Sequence, residues 1–304
     1  MKIAHFSDLH LLALDGVQWA RFLNKRLTGW ANLRLKRGAV HRSSTVRAIA
    51  RDVAAHEFDH VVITGDLTNL ALESEFELVR EVLERDLGLD PSSVSLVPGN
   101  HDLYTRGALN SRRFERYFGR WLSSDLPEIG VDVSGARFPV VRLRGCAAIV
   151  SLSSAVPRPP FIAAGELGVA QLDALDRVLA HPEVSRRTVI VALHHPAVVS
   201  WSRMKHHAEG LRDSAALLSV LRRVSRGLVL HGHLHRRTQR TITTSSGTLL
   251  HVGATSASLH HDSADRMAGY NVYEMDEDGV TRVHARVFDP RTGTFALGAV
   301  PIHS

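Results

Sequence analysis

Val94-Ser95-Leu96-Val97-Pro98-Gly99-Asn100-His101-Asp102 is the stretch on which the reading of this chain turns. Its first four residues suit a short buried strand. Pro98-Gly99 then breaks the run, and an amide, an imidazole and a carboxylate follow at once. The same change of character occurs four more times. Lys2 to Ser7 leads into Asp8-Leu9-His10, and Val61-Val62-Ile63-Thr64 into Gly65-Asp66-Leu67-Thr68-Asn69. Val189 to Leu193 leads into His194-His195-Pro196, and residues 228–231 into Gly232-His233-Leu234-His235. Ligands in open α/β sheets bind just beyond the carboxyl ends of strands. Five polar loops at five strand ends therefore predict one shared site.

The intervals between these strands read as helices. Leu72, Phe76, Val79 and Leu83 share a face at spacings of three and four over 72–87, as an amphipathic helix requires. Residues 17–36, 43–56, 168–180 and 213–224 also read as helices. Residues 138–152 hold two strands. From 238 onward strands are joined by turns such as Ser246-Gly247 and Asp278-Gly279. Strands alternating with helices, then a β-rich third, predict an α/β layered fold. At about 100–200 residues per domain, 304 residues suit a single domain over 1–304. It would carry a basic helical insertion at about 16–51 and a cap in the less regular segment at about 103–135.

A hydrophobic fraction of 44% and a charged fraction of 22% exclude wholesale disorder. One cysteine, Cys146, excludes an intrachain disulfide. It stands in the apolar run 146–150 and is expected as a small buried hydrophobe. No uncharged apolar run reaches the ~18 residues of a membrane span. His5 and Asp8 interrupt any secretory pattern, so the expected location is the cytoplasm. The net charge is +6, yet residues 16–51 hold nine basic residues and no acidic one. The remainder is therefore slightly acidic. Nineteen histidines direct attention to metal ligands.

The donors in the five loops are carboxylates, imidazoles and an amide oxygen. That mixture suits Mn, Fe or Zn, whereas a magnesium or calcium cage would be nearly all oxygen. Structural zinc sites favour cysteine, which is absent from these loops. Asp8 with His10, and His233 with His235, stand one residue apart and can turn to the same side. Gly65, Gly99 and Gly232 fit places where the backbone must come close to the ions.

Taken together and in this order, the five motifs resemble those of the calcineurin-like metallophosphoesterase family, and they span most of the chain. The resemblance implies a two-sheet β-sandwich flanked by helices and a centre of two divalent metal ions. Carried over position by position, Asp8, His10 and His235 would hold one ion. Asn100, His194 and His233 would hold the second, with Asp66 bridging. In His194-His195-Pro196 the first histidine is the family's ligand and His195 a neighbour. His101 would contact the substrate phosphate or protonate the leaving group. Asp102 is expected to orient His101, and Arg236 to help stabilise developing charge. The implied reaction is attack of a metal-bridging hydroxide on phosphorus, with a phosphodiester or pyrophosphate as substrate. A catalytically silent metal-binding scaffold is the non-enzyme alternative. The remaining histidines, His5, His231 and His251 among them, are expected in ordinary packing.

Within 17–36, Trp19, Phe22, Leu23, Leu27, Trp30 and Leu33 share a helical face flanked by Arg21, Lys25, Arg26, Arg34, Lys36 and Arg37. Such a face suits either packing on the core or an anionic membrane surface. Peripheral membrane contact would favour a lipid-linked substrate, as in the family's UDP-2,3-diacylglucosamine pyrophosphatases. The other branch takes cyclic nucleotides or glycerophosphodiesters. Nucleic acid is the least favoured partner.

Overall fold

The structure is a computed structural model that describes residues 1–14, 42–103, 105–133, 135–159, 161–199 and 202–303. The chain begins with three parallel strands, β1 (Lys2–Phe6), β2 (His60–Ile63) and β3 (Val94–Leu96). A small hairpin of β4 (Val131–Val133) and β5 (Ala136–Phe138) follows. The chain then builds a second sheet. β6 (Val140–Arg144) pairs antiparallel with β7 (Ala147–Ser151), and β7 runs parallel to β8 (Thr188–Ala192). β9 (Arg226–His231) lies parallel to β8, and β10 (Thr238–Thr243) and β11 (Thr248–Gly253) complete the order β10-β11-β9-β8-β7-β6. β12 (Gly269–Asp276), β13 (Gly279–Asp289) and β14 (Thr294–Gly298) return to the first sheet, giving β14-β13-β12-β1-β2-β3.

The period of two along these strands explains how the sheets are buried. Ile3, Val62, Ile149, Ile190, Leu228 and Leu230 belong to one apolar cluster that draws on both sheets. Their immediate neighbours point the other way: Ala4, Phe6, Val61 and Ile63 into a second cluster, and Ala148, Val150, Val189, Val191 and Val229 into a third. Each central strand is buried on both faces, so it reads as a continuous apolar run and not as an alternation.

Helices cover the two outer faces. On the first sheet, α1 (Ser43–Ala54) inserts Val46, Ile49, Ala50 and Val53, and α2 (Glu73–Glu81) inserts Phe76 and Val79. The helix predicted over 72–87 keeps its place but changes pitch, continuing as a wider π turn over Val82–Leu87. In segment 103–135 the short helices α3 (Arg106–Asn110) and α4 (Arg113–Phe118) lead to Trp121. Phe114, Phe118 and Trp121 are buried in the same cluster as Phe76. On the second sheet, α5 (Val169–Ala180) contributes Leu172, Leu175 and Val178. After the short helices α6 (Pro182–Ser185) and α7 (Arg203–Glu209), α8 (Ser214–Leu221) adds Leu217 and Leu221. The result is the two-sheet sandwich flanked by helices that the family resemblance implied.

Cys146 departs from its expectation. It occupies the turn between β6 and β7 and is only partly buried, because the apolar run begins to pair at Ala147. The tryptophan-bearing helix expected at 17–36 lies outside the described residues. Three cations of the basic segment, Arg42, Arg47 and Arg51, do fall within them. Arg47 and Arg51 both reach Asp86, at 2.5 and 2.7 Å, so the long run without acids meets its counter-charge from a distant helix end. No helix among the described residues is long and apolar enough to cross a membrane.

Candidate metal centre

Because β1, β2 and β3 are parallel, as are β7, β8 and β9, the loops that follow them emerge at the same end of each sheet. Backbone hydrogen bonds stitch these loops together: Asp8 N–H donates to Gly65 O (2.9 Å), His10 N–H to Asp66 O (3.0 Å) and Gly232 N–H to His194 O (3.1 Å). The loops are conformationally strained. Asp8, His10, Asp66, His233 and His235 adopt φ values of 53°, 46°, 49°, 68° and 49°, in the left-handed region that non-glycine residues avoid. Each such residue costs of order 1–3 kcal/mol, and residues of this kind gather where function over-determines the backbone.

The strain gathers ligand atoms. His235 Nε2 lies 3.2 Å from Asp8 Oδ1 and 3.0 Å from His10 Nε2. On the other side His194 Nε2 lies 3.2 Å from Asn100 Oδ1, and the His194 and His233 rings meet edge-on at 5.2 Å between centroids. Asp66 stands between the halves, its Oδ2 3.4 Å from His194 Nε2 and 3.8 Å from His10 Nε2. Its Oδ1 accepts the His101 N–H at 2.8 Å. Asp8, His10, Asp66 and His194 form a buried floor, and Asn100, His101, His233 and His235 form a partly exposed rim. Overlapping sets, including Asp8/His10/His235 and Asp8/Asp66/His194, offer ligand atoms within 4.8 Å of one another.

The donor chemistry fits cations. His194 Nδ1–H donates to Thr64 O at 2.7 Å, which leaves Nε2 facing the oxygens of Asp66 and Asn100. A bare lone pair there would repel theirs, so the position calls for a proton or a metal. Burial alone would lower the His194 pKa, but Asp66, with Asp8 behind it, outweighs burial and raises it to about 9. Burial alone would raise Asp66 and Asp8. For Asp66, His194 and His101 override that and hold it well below the usual carboxylate range, and for Asp8, His235 and His194 lower it.

The comparisons agree with this geometry. The calcineurin-like phosphoesterase family matches residues 1–237. The chain belongs to that family. Among curated relatives, the cAMP/cGMP dual specificity phosphodiesterase of Mycobacterium tuberculosis is 28% identical over 239 residues, 79% of this chain and 63% of the relative, so the match spans less than two thirds of that protein. Among solved structures, a dimetal phosphatase from Danio rerio superposes with a TM-score of 0.60 at 15% identity, over 98% of both chains. A purple acid phosphatase from yellow lupin (Lupinus luteus) superposes at 0.55 and 10% identity, over 99% of this chain and 53% of the other. At these identities the superpositions establish the fold, and the family is one of dinuclear, metal-dependent phosphoesterases.

Three expectations for individual residues of this calcineurin-like phosphoesterase take a definite form. His195 has both ring nitrogens occupied. Nε2–H donates to Ala163 O (2.7 Å) and Nδ1 accepts from the Ser154 hydroxyl (2.8 Å), so it braces the loop beside His194. Asp102 does not orient His101. Its carboxylate turns inward and accepts from Gly99 N (2.8 Å), Leu67 N (3.2 Å), Thr68 N (2.8 Å) and Thr68 Oγ1 (2.9 Å), tying the loop after β3 to the loop after β2. Burial and then Asp66 push Asp102 up to about 7 against these donors. His101 is oriented instead by Asn69, whose carbonyl accepts its Nδ1–H at 2.6 Å. His101 faces the partly exposed rim while Asp102 is fully buried, which separates the two side chains. Arg236 is also displaced from its expected role: its guanidinium is bound by Asp265 and its side chain is 45% exposed.

Sequence reading missed the backbone carbonyls of Thr64 and Asn69, which fix the tautomers of His194 and His101. It also missed Ser256, whose hydroxyl donates to Asp8 O at 2.6 Å. A carbonyl leaves no trace in residue identity, and Ser256 lies 248 residues from its partner. His5, by contrast, is packed as expected, bonded to Tyr273 and Thr64 at 2.9 Å each.

Metal uptake should release the His194 proton. With a pKa raised to about 9, His194 is protonated in the metal-free protein at pH 7.5, so the ion displaces H⁺ and apparent affinity rises with pH up to about 9. Manganese added to weakly buffered metal-free protein should acidify the solution, and His194→Gln should remove about one proton from the count. An unchanged count would refute this assignment.

Proposed function

We propose that the chain is a metal-dependent phosphodiesterase whose favoured substrates are cyclic nucleotides. The observation that carries the reading is the position of Asp66 Oδ2 between His194 and His10, in a cluster of floor and rim to which five separate strand-end loops contribute. In this reading Asp8, His10 and His235 hold one divalent ion, Asn100, His194 and His233 the other, and Asp66 touches both. Bound there, two ions of Mn, Fe or Zn type activate water and polarise the phosphoryl oxygens.

The chain's own residues do the rest. Asp8 and Asp66 supply negative charge in a buried floor, where it binds cations strongly. The Thr64 carbonyl keeps His194 Nε2 free for ligation. The Asn69 carbonyl holds the Nδ1 proton of His101, so Nε2 is the atom left to meet the phosphate or to carry a proton to the leaving oxygen. His101 belongs to the partly exposed rim, where a substrate arriving from solvent meets it first.

The relatedness to a cyclic-nucleotide phosphodiesterase supports this substrate class over the lipid-linked one. The apolar spacing from Trp19 to Leu33 and its flanking basic residues, features of the sequence alone, are what favour a cytoplasmic membrane surface and a UDP-2,3-diacylglucosamine-like substrate. A panel assayed with two manganese ions per chain separates the readings: cyclic AMP, cyclic GMP, bis(p-nitrophenyl) phosphate, p-nitrophenyl phosphate and UDP-2,3-diacylglucosamine. Diesters should turn over faster than the monoester, with cyclic nucleotides ahead of the lipid. A preference for the monoester overturns the proposal, and no turnover of any member in metal-loaded protein returns the chain to a silent scaffold.

A further inference from the structure

The loop from Gly232 to Arg236 has two sides. His233 and His235 enter the metal cluster, whereas Leu234 and Arg236 line a separate groove of about 370 Å³. Lys205, Arg240 and Arg266 bring further cationic side chains to this groove; Asp265 holds Arg236, and Glu209 lies 3.9 Å from Lys205. The volume is within the range of small-molecule sites. Arginine forks at such a site match the oxygens of a phosphate group.

Two buried imidazoles complete the lining. His231 and His251 stack at 4.3 Å between centroids, with planes 25° apart. His231 Nδ1–H donates to Gly232 O at 2.9 Å, and His251 Nε2 accepts the Ala197 N–H at 3.1 Å. In neutral rings this leaves His231 Nε2 as an acceptor and His251 Nδ1–H as a donor. Both atoms are buried and have no hydrogen-bond partner among the described residues. Buried polar groups of native proteins are paired, and each exception asks for an explanation. A ligand with an anionic oxygen and a hydroxyl would pair both at once.

We propose that this groove is a second, non-catalytic site that binds a phosphate monoester carrying hydroxyl groups, with the size and chemistry of a nucleoside monophosphate. Arg240 and Arg266 take the phosphate, and His251 and His231 read an oxygen and a hydroxyl of the ligand. Since the groove and the metal cluster share one loop, an occupant can act on the positions of His233 and His235. The proposal does not depend on which diester the metal centre cleaves.

Calorimetric titration of the manganese-loaded full chain with 5′-AMP tests it. Wild type should show two sites per chain, and Arg240→Gln/Arg266→Gln should show one, the groove affinity falling at least about tenfold. Turnover of bis(p-nitrophenyl) phosphate without AMP should be unchanged in that variant, and Arg240→Lys/Arg266→Lys should keep much of the binding. Lys205→Gln, on an exposed short helix, gives the same reading with less risk to folding. Asp66→Asn should lose the metal-centre site and keep the groove site. One site in wild type that survives Arg240→Gln/Arg266→Gln, or none left in Asp66→Asn, would overturn the proposal.

Discussion

Asp66→Asn is expected to lower phosphodiester turnover by at least about a thousandfold, equivalent to several kcal/mol of lost transition-state stabilisation. The substitution keeps shape and an oxygen that can accept the His101 N–H, now 2.8 Å from Asp66 Oδ1. It removes the negative charge that faces both His10 and His194. Bound metal should fall from two ions per chain to one or fewer. In metal-free protein the His194 pKa should drop from about 9, because Asp66 is the charge that raises it. Imidazole titration by NMR reads that change without any turnover. Metal content and rate both near wild type would mean that the two halves of the cluster do not share a ligand.

Gly99→Ala is the second large effect, and it acts without replacing any of the proposed ligands. A Cβ on Gly99 would fall inside 3.0 Å of both Asp66 Oδ1 and the Asp66 backbone nitrogen. Neither can retreat: the amide is fixed in the loop, and the carboxylate is fixed by His101 N–H and the histidines. Such overpacking costs about 1–3 kcal/mol of stability, and displacement of the shared carboxylate should weaken metal binding by about 10–100-fold. Gly119→Ala is the control, since a Cβ there meets nothing within 4 Å. Thermal melting with and without manganese separates the two consequences. An alanine at 99 with normal melting and normal metal affinity would show that the approach of the β2 and β3 loops is looser than described.

Much of this centre was legible in the residues because its candidate ligands are side chains at abrupt apolar-to-polar boundaries. Asp8, His10, Asp66, Asn100, His101, His194, His233 and His235 each follow a run that reads as a buried strand, and each of those runs contains a strand in the structure. Asp102 and Arg236 were harder. Adjacency to His101 suggested that Asp102 orients it, but the buried carboxylate found backbone amides and His101 found the Asn69 carbonyl. Arg236 followed a ligand in sequence, yet its counter-ion is Asp265, 29 residues on.

The sequence by itself determined the alternation of strands and helices, the polar ends of the strands and the mixed oxygen and nitrogen character of the donors, since these depend on residue type and local order. Only the tertiary structure decided which imidazole nitrogen faces the centre, that His195 is a brace, and that Arg240 from β10 and Arg266 share a groove with the stacked His231 and His251. Those outcomes depend on backbone carbonyls and strand register. Every residue carries the same carbonyl, and the packing of two sheets alone selects which one lies within hydrogen-bonding reach of a given side chain.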